Sequence, residues 1–312
     1  MRTIAFGSAV LLFTSVLANA QDLETAYKNL KDAESKKDAD LVKKWAGETS
    51  KAARAAVATP EPAAADAKAA WTSRVDYAKQ VDTYTEYAMY ALVLQPIEAP
   101  KVVDLCEALE AQNPKSQYLP QIAARCIVGL SQSGNQAKIV PFGERALERD
   151  PSNEDVLLVL ADSYQSAKEP DKALATAAKL VAALSEKPKP AGIDDAVWQK
   201  KKDAMLGRGY WIIGMIHAER NQHAETDKAL RSALPLIQGD PAMKAPALFY
   251  LGVANYQLGR ASKNRAVMTE AAQFSEESAA IPGPYQALAL KNAKSIRAEI
   301  AQMPRTPVRR KK

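Results

Sequence analysis

LERDPSNEDVLLVLADSYQSAKEPDKALATAAKL, residues 147–180, decides how the rest of the chain is read. Leu157, Leu160, Ala161 and Tyr164 are spaced i, i+3, i+4, i+7 and so share one face of a helix. Ala161 is small, as it must be if a second helix approaches closely there, and Ala173 is its expected counterpart on that helix, followed by Ala177. Glu169-Pro170-Asp171 marks the turn between them. Proline suits the first turn of a following helix, and the residue before it is pushed out of the helical region. A single hairpin of this kind cannot bury its apolar face alone, so neighbours are required.

The pattern resembles a tetratricopeptide repeat, whose template runs W-x2-L-G-x2-Y and then A-x3-F. Leu160, Tyr164 and Ala173 match it outright. Leu157 supplies an apolar residue where the template has Trp, and Ala161 a small one where it has Gly. If Gly134 marks the turn of the preceding repeat, that repeat starts at Pro120, 34 residues before Glu154, and 34 is the family period. Its Ala146 and Pro151 then fall on the family's Ala and closing Pro, whereas Gly143 stands where an aromatic is expected and Ile127 where a small residue is. Further on, Tyr210-x2-Ile213-Gly214-x2-His217 leads to a turn at Asn221 and to Ala233. Leu248-x2-Leu251-Gly252-x2-Asn255 leads to Gly259, again read as a turn. Gly252 follows Gly214 by 38 residues, so this repeat is stretched by four.

The resemblance implies an all-α fold, an α-α superhelix or solenoid of antiparallel helical hairpins. Composition agrees: 13 Gly in 312 residues, abundant Ala, Leu, Lys and Glu, and no alternating Val/Ile/Thr runs. Residues 1–20 read as a signal peptide. Arg2 gives the charged start, Ile4–Leu17 the apolar run, and Ala18-Asn19-Ala20 the cleavage site. There is no Cys at that point to carry a lipid anchor, so a periplasmic or secreted protein is expected, with cleavage after Ala20. Residues 21–95 read as an N-terminal helical region, a cap or degenerate hairpins, with no repeat frame before about residue 80. Tyr84 to Leu92 is crowded with aromatics. The repeat array is expected over 96–302, with an insertion near 185–197. Residues 303–312 read as a basic, Pro-containing tail expected to be disordered.

No catalytic motif is present. His217 and His223 are six apart and do not share a helix face, and His217 falls at an expected core position. There is no H-E-x-x-H, G-x-S-x-G or phosphate loop. Asp194 and Asp195 read as caps of the helix that follows rather than as an acid–base pair. No metal site and no cofactor are expected. The formal charge of +6 is interspersed with acidic residues, and with the export signal this argues against a nucleic-acid partner. After signal cleavage no apolar run is long enough to span a membrane.

In the family, the first helix of each hairpin lines a concave groove through the second, fifth, ninth and twelfth residues of the repeat. The resemblance therefore implies a groove formed by Asp155, Leu158, Asp162 and Gln165, then Arg208, Trp211, Met215 and Ala218, then Pro246, Phe249, Val253 and Tyr256. Trp211, Met215, Phe249 and Tyr256 read either as an aromatic and thioether patch for an apolar anchor or as ordinary core. Cys106 and Cys126 fall on helices that pack together in the family, and read either as a disulfide or as two small buried apolar residues. The function expected is a non-catalytic periplasmic adaptor binding a peptide or protein. The alternative is a structural envelope component meeting anionic cell-wall or membrane groups, and the third choice is an enzyme without a recognisable motif.

Overall fold

The computed structural model describes the backbone of residues 8–303 and the side chains of residues 22–303. The expected signal peptide and the basic tail therefore lie wholly or largely outside the described side chains. Among the described residues every regular element is helical, and the contacts divide the chain into two compact units, residues 1–151 and 152–312.

The first unit contains α1 (Ser8–Ser35), α2 (Ala39–Val57), α3 (Ala65–Val93), α4 (Ala99–Gln112), α5 (Leu119–Gln132) and α6 (Gln136–Arg149). The second contains α7 (Glu154–Ser166), α8 (Pro170–Glu186), α9 (Asp195–Glu219), α10 (His223–Ala233), a short 3-10 turn (Leu234–Leu236), α11 (Pro241–Ala261), α12 (Arg265–Ala279) and α13 (Gln286–Gln302). Within each unit, each helix packs on the next one in sequence. First helices of successive hairpins also touch, α1 with α3 and α3 with α5 in one unit, α7 with α9 and α9 with α11 in the other.

Five hairpins close with the same turn. Lys37, Gly134, Lys168, Asn221 and Lys263 each take a left-handed conformation, with φ between 52° and 75°. In each, the following N–H reaches back to close the last helical turn: Asp38 to Ala33 O, Asn135 to Leu130 O, Glu169 to Tyr164 O, Gln222 to His217 O and Asn264 to Gly259 O. This is the glycine-type helix stop, which satisfies carbonyls that the helix leaves without partners. Gly134 and Lys168 stand 34 residues apart, the period read from the sequence.

Two expectations change. Gly259 is not a turn residue: α11 runs through it to Ala261, and the turn falls at Lys263. Lys263 stands eleven residues after Gly252, against seven from Gly214 to Asn221, so α11 carries one more turn of helix on the way to its hairpin turn. The insertion is also shorter than 185–197. Only residues 187–194 are irregular, and Asp194 starts α9 by accepting from the N–H groups of Ala196 and Val197. Trp198 and Tyr210 then belong to one 25-residue helix.

Small residues set how closely paired helices approach. Ala161, Ala173 and Ala177 are fully buried in the α7–α8 hairpin. On α9 and α11 the small positions are Gly214, facing Leu230, and Gly252, facing Ser275 and the Ala271 carbonyl. Cys126 and Gly129, one turn apart on α5, face α4. There Cys126 is bonded to Cys106, and Gly129 lies against Val102 and Val103.

Candidate functional site

The expected groove positions of α7, α9 and α11 lie in the second unit, where α9 touches both α7 and α11. Asp155, Leu158, Asp162 and Gln165 are all half-buried on α7. Two of them are already tied to α9. Lys201 donates to Asp155 at 2.8 Å, and Arg208 Nε donates to Asp162 Oδ1 at 2.8 Å. The guanidinium of Arg208 also stands 4.7 Å from the centre of the Trp211 ring, within range of a cation–π contact. Trp211 Nε1 in turn donates to the Met243 carbonyl of α11 at 3.0 Å. Asp162, Arg208, Trp211 and Met243 thus form one unbroken run of contacts across three first helices.

Trp211 is half-buried and packs against the cluster of Leu230, Ala233, Leu248, Leu251 and Phe274. Met215 is buried, 8% exposed, and is core rather than groove surface. Phe249 turns to Tyr250 and Tyr285, with ring centres 5.1 and 5.2 Å away, and not to Trp211. Tyr256 is held by the last helix. Its hydroxyl donates to Glu299 Oε2, and it packs against the Met268, Ile296 and Ile300 cluster. Pro246 is buried, while Ala218 and Val253 are half-buried. The four residues read as one patch are therefore divided among three surroundings. Lys201, Met243, Tyr285 and Glu299 complete these contacts, and none occupies a groove position in the sequence frame.

A second row went unread in the sequence. Tyr27, Lys31 and Glu34 stand as far before the left-handed Lys37 as Leu158, Asp162 and Gln165 stand before Lys168. All three reach Tyr84 on α3. The Tyr27 ring lies 5.6 Å from it edge-on, Lys31 donates to its hydroxyl, and that hydroxyl donates to Glu34 at 2.9 Å. From Tyr84 the rings continue through Tyr87, Tyr90 and Tyr118 at centre distances of 5.7, 6.1 and 4.8 Å. Tyr87 is 42% exposed. The signal that finds this row is the hairpin turn, and a lysine at Lys37, where a left-handed helix stop favours glycine, conceals it.

Cys106 and Cys126 are joined by a disulfide, their Cα atoms 6.1 Å apart. The two cysteines line a hollow of about 280 Å³ with Val103, Leu130 and Phe142. Lys138, paired with Glu107 at 2.7 Å, and Arg145 stand on its lining as well. His217 is not core: it is half-buried, and its Nδ1 lies 2.6 Å from Gln222 Oε1 across the hairpin turn. Among the described residues no group of three His, Cys, Asp or Glu side chains is placed to hold a metal ion. Among the same residues no helix is long and apolar enough to cross a membrane.

No protein-family model matches the chain, and no curated protein matches it. One solved structure, described as "Computational Design of Self-Assembling Cyclic Protein Homooligomers", aligns over 92% of this chain and 95% of that one. The identity is 11% and the TM-score 0.23.

Proposed function

We propose that the chain is a non-catalytic interaction scaffold of the tetratricopeptide type, exported to the periplasm, which binds an extended peptide or a protein segment along its first helices. The observation that carries this reading is the shared row. α1 and α7 present residues at the same offsets from the same left-handed turn, and in both units that row reaches the next first helix. Gly214 and Gly252 support the family assignment, since each stands where the repeat template has its small residue and each packs against its partner helix. The export reading rests on the apolar run and A-x-A pattern of residues 1–20.

Trp211 and Phe249 are poor tests of binding, because both already pack within the unit. Leu158 and Val253 are better, being half-buried on the same rows. Leu158→Lys with Val253→Lys should leave the melting curve of the purified protein nearly unchanged and abolish recovery of its partner from a periplasmic fraction after crosslinking. An unchanged set of crosslinked proteins would remove the case for this surface.

A further inference from the structure

Six of the eleven tyrosines in the chain stand in the first unit: Tyr27 on α1, Tyr77, Tyr84, Tyr87 and Tyr90 on α3, and Tyr118 just before α5. All but Tyr77 are joined ring to ring, and Tyr87 also meets Tyr118 at 6.0 Å. At 3.6 residues per turn, Tyr77, Tyr84, Tyr87 and Leu94 fall within about 100° of one another on one side of α3. Tyr77 and Leu94 are 43% and 52% exposed, so with Tyr87 they keep that side open. A continuous outward stripe of large apolar side chains marks a place where a partner binds.

The polar groups of the stripe say which partner. Its charges are spent internally: Glu34 accepts from the Tyr84 hydroxyl and pairs with Lys31 at 3.0 Å, and Lys31 donates to the same hydroxyl. An uncharged partner fits what is left. The hydroxyls of Tyr27, Tyr87, Tyr90 and Tyr118 make no hydrogen bond among the described residues, so they are free to donate. The surface thus offers ring faces and donors, while its central carboxylate is already taken. An ordinary peptide or a glycan brings N–H or O–H groups that need acceptors in return. Proline brings none, because it has no backbone N–H. A polyproline II segment has no internal hydrogen bonds, and its carbonyls stand outward to accept. It is stiff before it binds and docks on aromatic-lined grooves at little entropic cost. The stripe from Tyr77 to Leu94 rises about 25 Å along α3, the length of about eight residues of polyproline II.

We infer that the tyrosine row of the first unit binds an uncharged, proline-rich segment in the polyproline II conformation. The rings pack against the pyrrolidines, and the free hydroxyls donate to the segment's carbonyls. This deepens the peptide-binding reading and rests on it, since Tyr27, Tyr84 and Glu34 belong to the row that carries that reading.

Full-length mature protein would be titrated into a fluorescently labelled proline decamer and into a labelled decamer of alternating glycine and serine, with binding read by anisotropy. The second peptide is equally uncharged but carries an N–H at every residue. The proline decamer should bind at least about tenfold more tightly. Raising the salt should change this little, because no charged group takes part. Tyr87→Ser should weaken binding about tenfold, and Tyr87→Phe, which keeps the ring and loses only the hydroxyl, about threefold. Both variants would be compared at a temperature where their melting curves show them folded. No binding of the proline decamer by the parent protein, or equal binding of the glycine–serine decamer, would overturn the inference. So would a hexamer of N-acetylglucosamine that binds more tightly than the proline decamer and is lost with Tyr87→Ser, which would mark a glycan surface. If the inference fell in this way while partner capture still depended on Leu158 and Val253, the peptide-binding reading would stand without it.

Discussion

Gly214 on α9 lies so close to Leu230 on α10 that a Cβ at that position would come within 2.4 Å of the leucine Cδ2. Leu230 is fully buried in the cluster with Ala233, Leu248 and Leu251. Alanine at 214 gains about 1 kcal/mol of helix propensity over glycine but must push the hairpin apart, at about 1–3 kcal/mol. Gly214→Ala should therefore destabilise the second unit by about 1 kcal/mol. Gly47 on α2 is the control: it is exposed, and nothing stands within 4 Å of its added Cβ. Gly47→Ala should stabilise by about 0.5–1 kcal/mol. Paired denaturation curves moving in the same direction would contradict this account of the packing.

The hairpin turns give a second expectation. Lys37, Lys168 and Lys263 hold left-handed backbones that cost a residue with a Cβ about 1–2 kcal/mol. Glycine adopts them freely but loses more entropy on folding. Lys168→Gly should raise stability by about 0.5–1 kcal/mol, and Lys168→Val should lower it. A neutral result for both in urea denaturation would argue against the left-handed turn.

The disulfide joins α4 to α5 across 20 residues. A cross-link closing a loop of that size contributes about 3 kcal/mol in the chain-entropy model. Protein recovered from an oxidising compartment should take up no alkylating label in denaturant, and two labels once a reductant is added. Cys106→Ser with Cys126→Ser should lower the denaturation midpoint, and the reductant should then have no further effect on the variant. Two labels without reductant would refute the bond.

Much of the fold was legible because its signals are local. The i, i+3, i+4, i+7 set ending at Tyr164, the Glu169-Pro170-Asp171 turn and the cap at Asp194 all depend on neighbours a few residues away, and the structure places helix ends at or beside each. The candidate groove was less legible, since its positions follow from the frame but their neighbours do not. Nothing near Arg208 in sequence announces Asp162, and nothing near Tyr256 announces Glu299, because those partners lie 46 and 43 residues away. Gly259 misled for a physical reason: a glycine that serves a close approach to Met268 looks the same in sequence as one that serves a turn.

Acid should loosen the first unit through Glu110. Hydrogen bonds from Arg145 pull its carboxyl below the ordinary value of 4.5, burial opposes this, and Arg149 adds to the lowering. The three meet at 2.6–3.0 Å and tie α4 to α6, with Glu110 only 15% exposed. Because the folded value is depressed, the pair's contribution is complete above about pH 4.5 and is lost as pH falls through the folded value. Glu110→Gln should cost about 1–2 kcal/mol at neutral pH and less as the pH drops below 4. A penalty that stays constant between pH 7 and pH 3, read by urea denaturation, would show that the charge is not what matters.

Trp211 offers the sharpest separation of packing from binding. Its indole is half-buried against the α10–α11 cluster, its N–H bridges to α11 through the Met243 carbonyl, and Arg208 covers its face. Truncation to alanine removes all three and should cost about 3–4 kcal/mol. Trp211→Phe keeps most of the ring area and the cation–π contact but leaves the Met243 carbonyl without its donor, for about 1–2 kcal/mol. Arg208→Ala removes a half-buried pair with Asp162 and the cover on the ring, and should cost no more than about 1 kcal/mol. The expected order is therefore Trp211→Ala, then Trp211→Phe, then Arg208→Ala, read from denaturation midpoints of the second unit. If Trp211→Ala were instead nearly neutral, the ring would not be held within the unit. It would then belong to the binding surface after all, and Trp211 should replace Leu158 as the first residue to vary in partner-capture experiments.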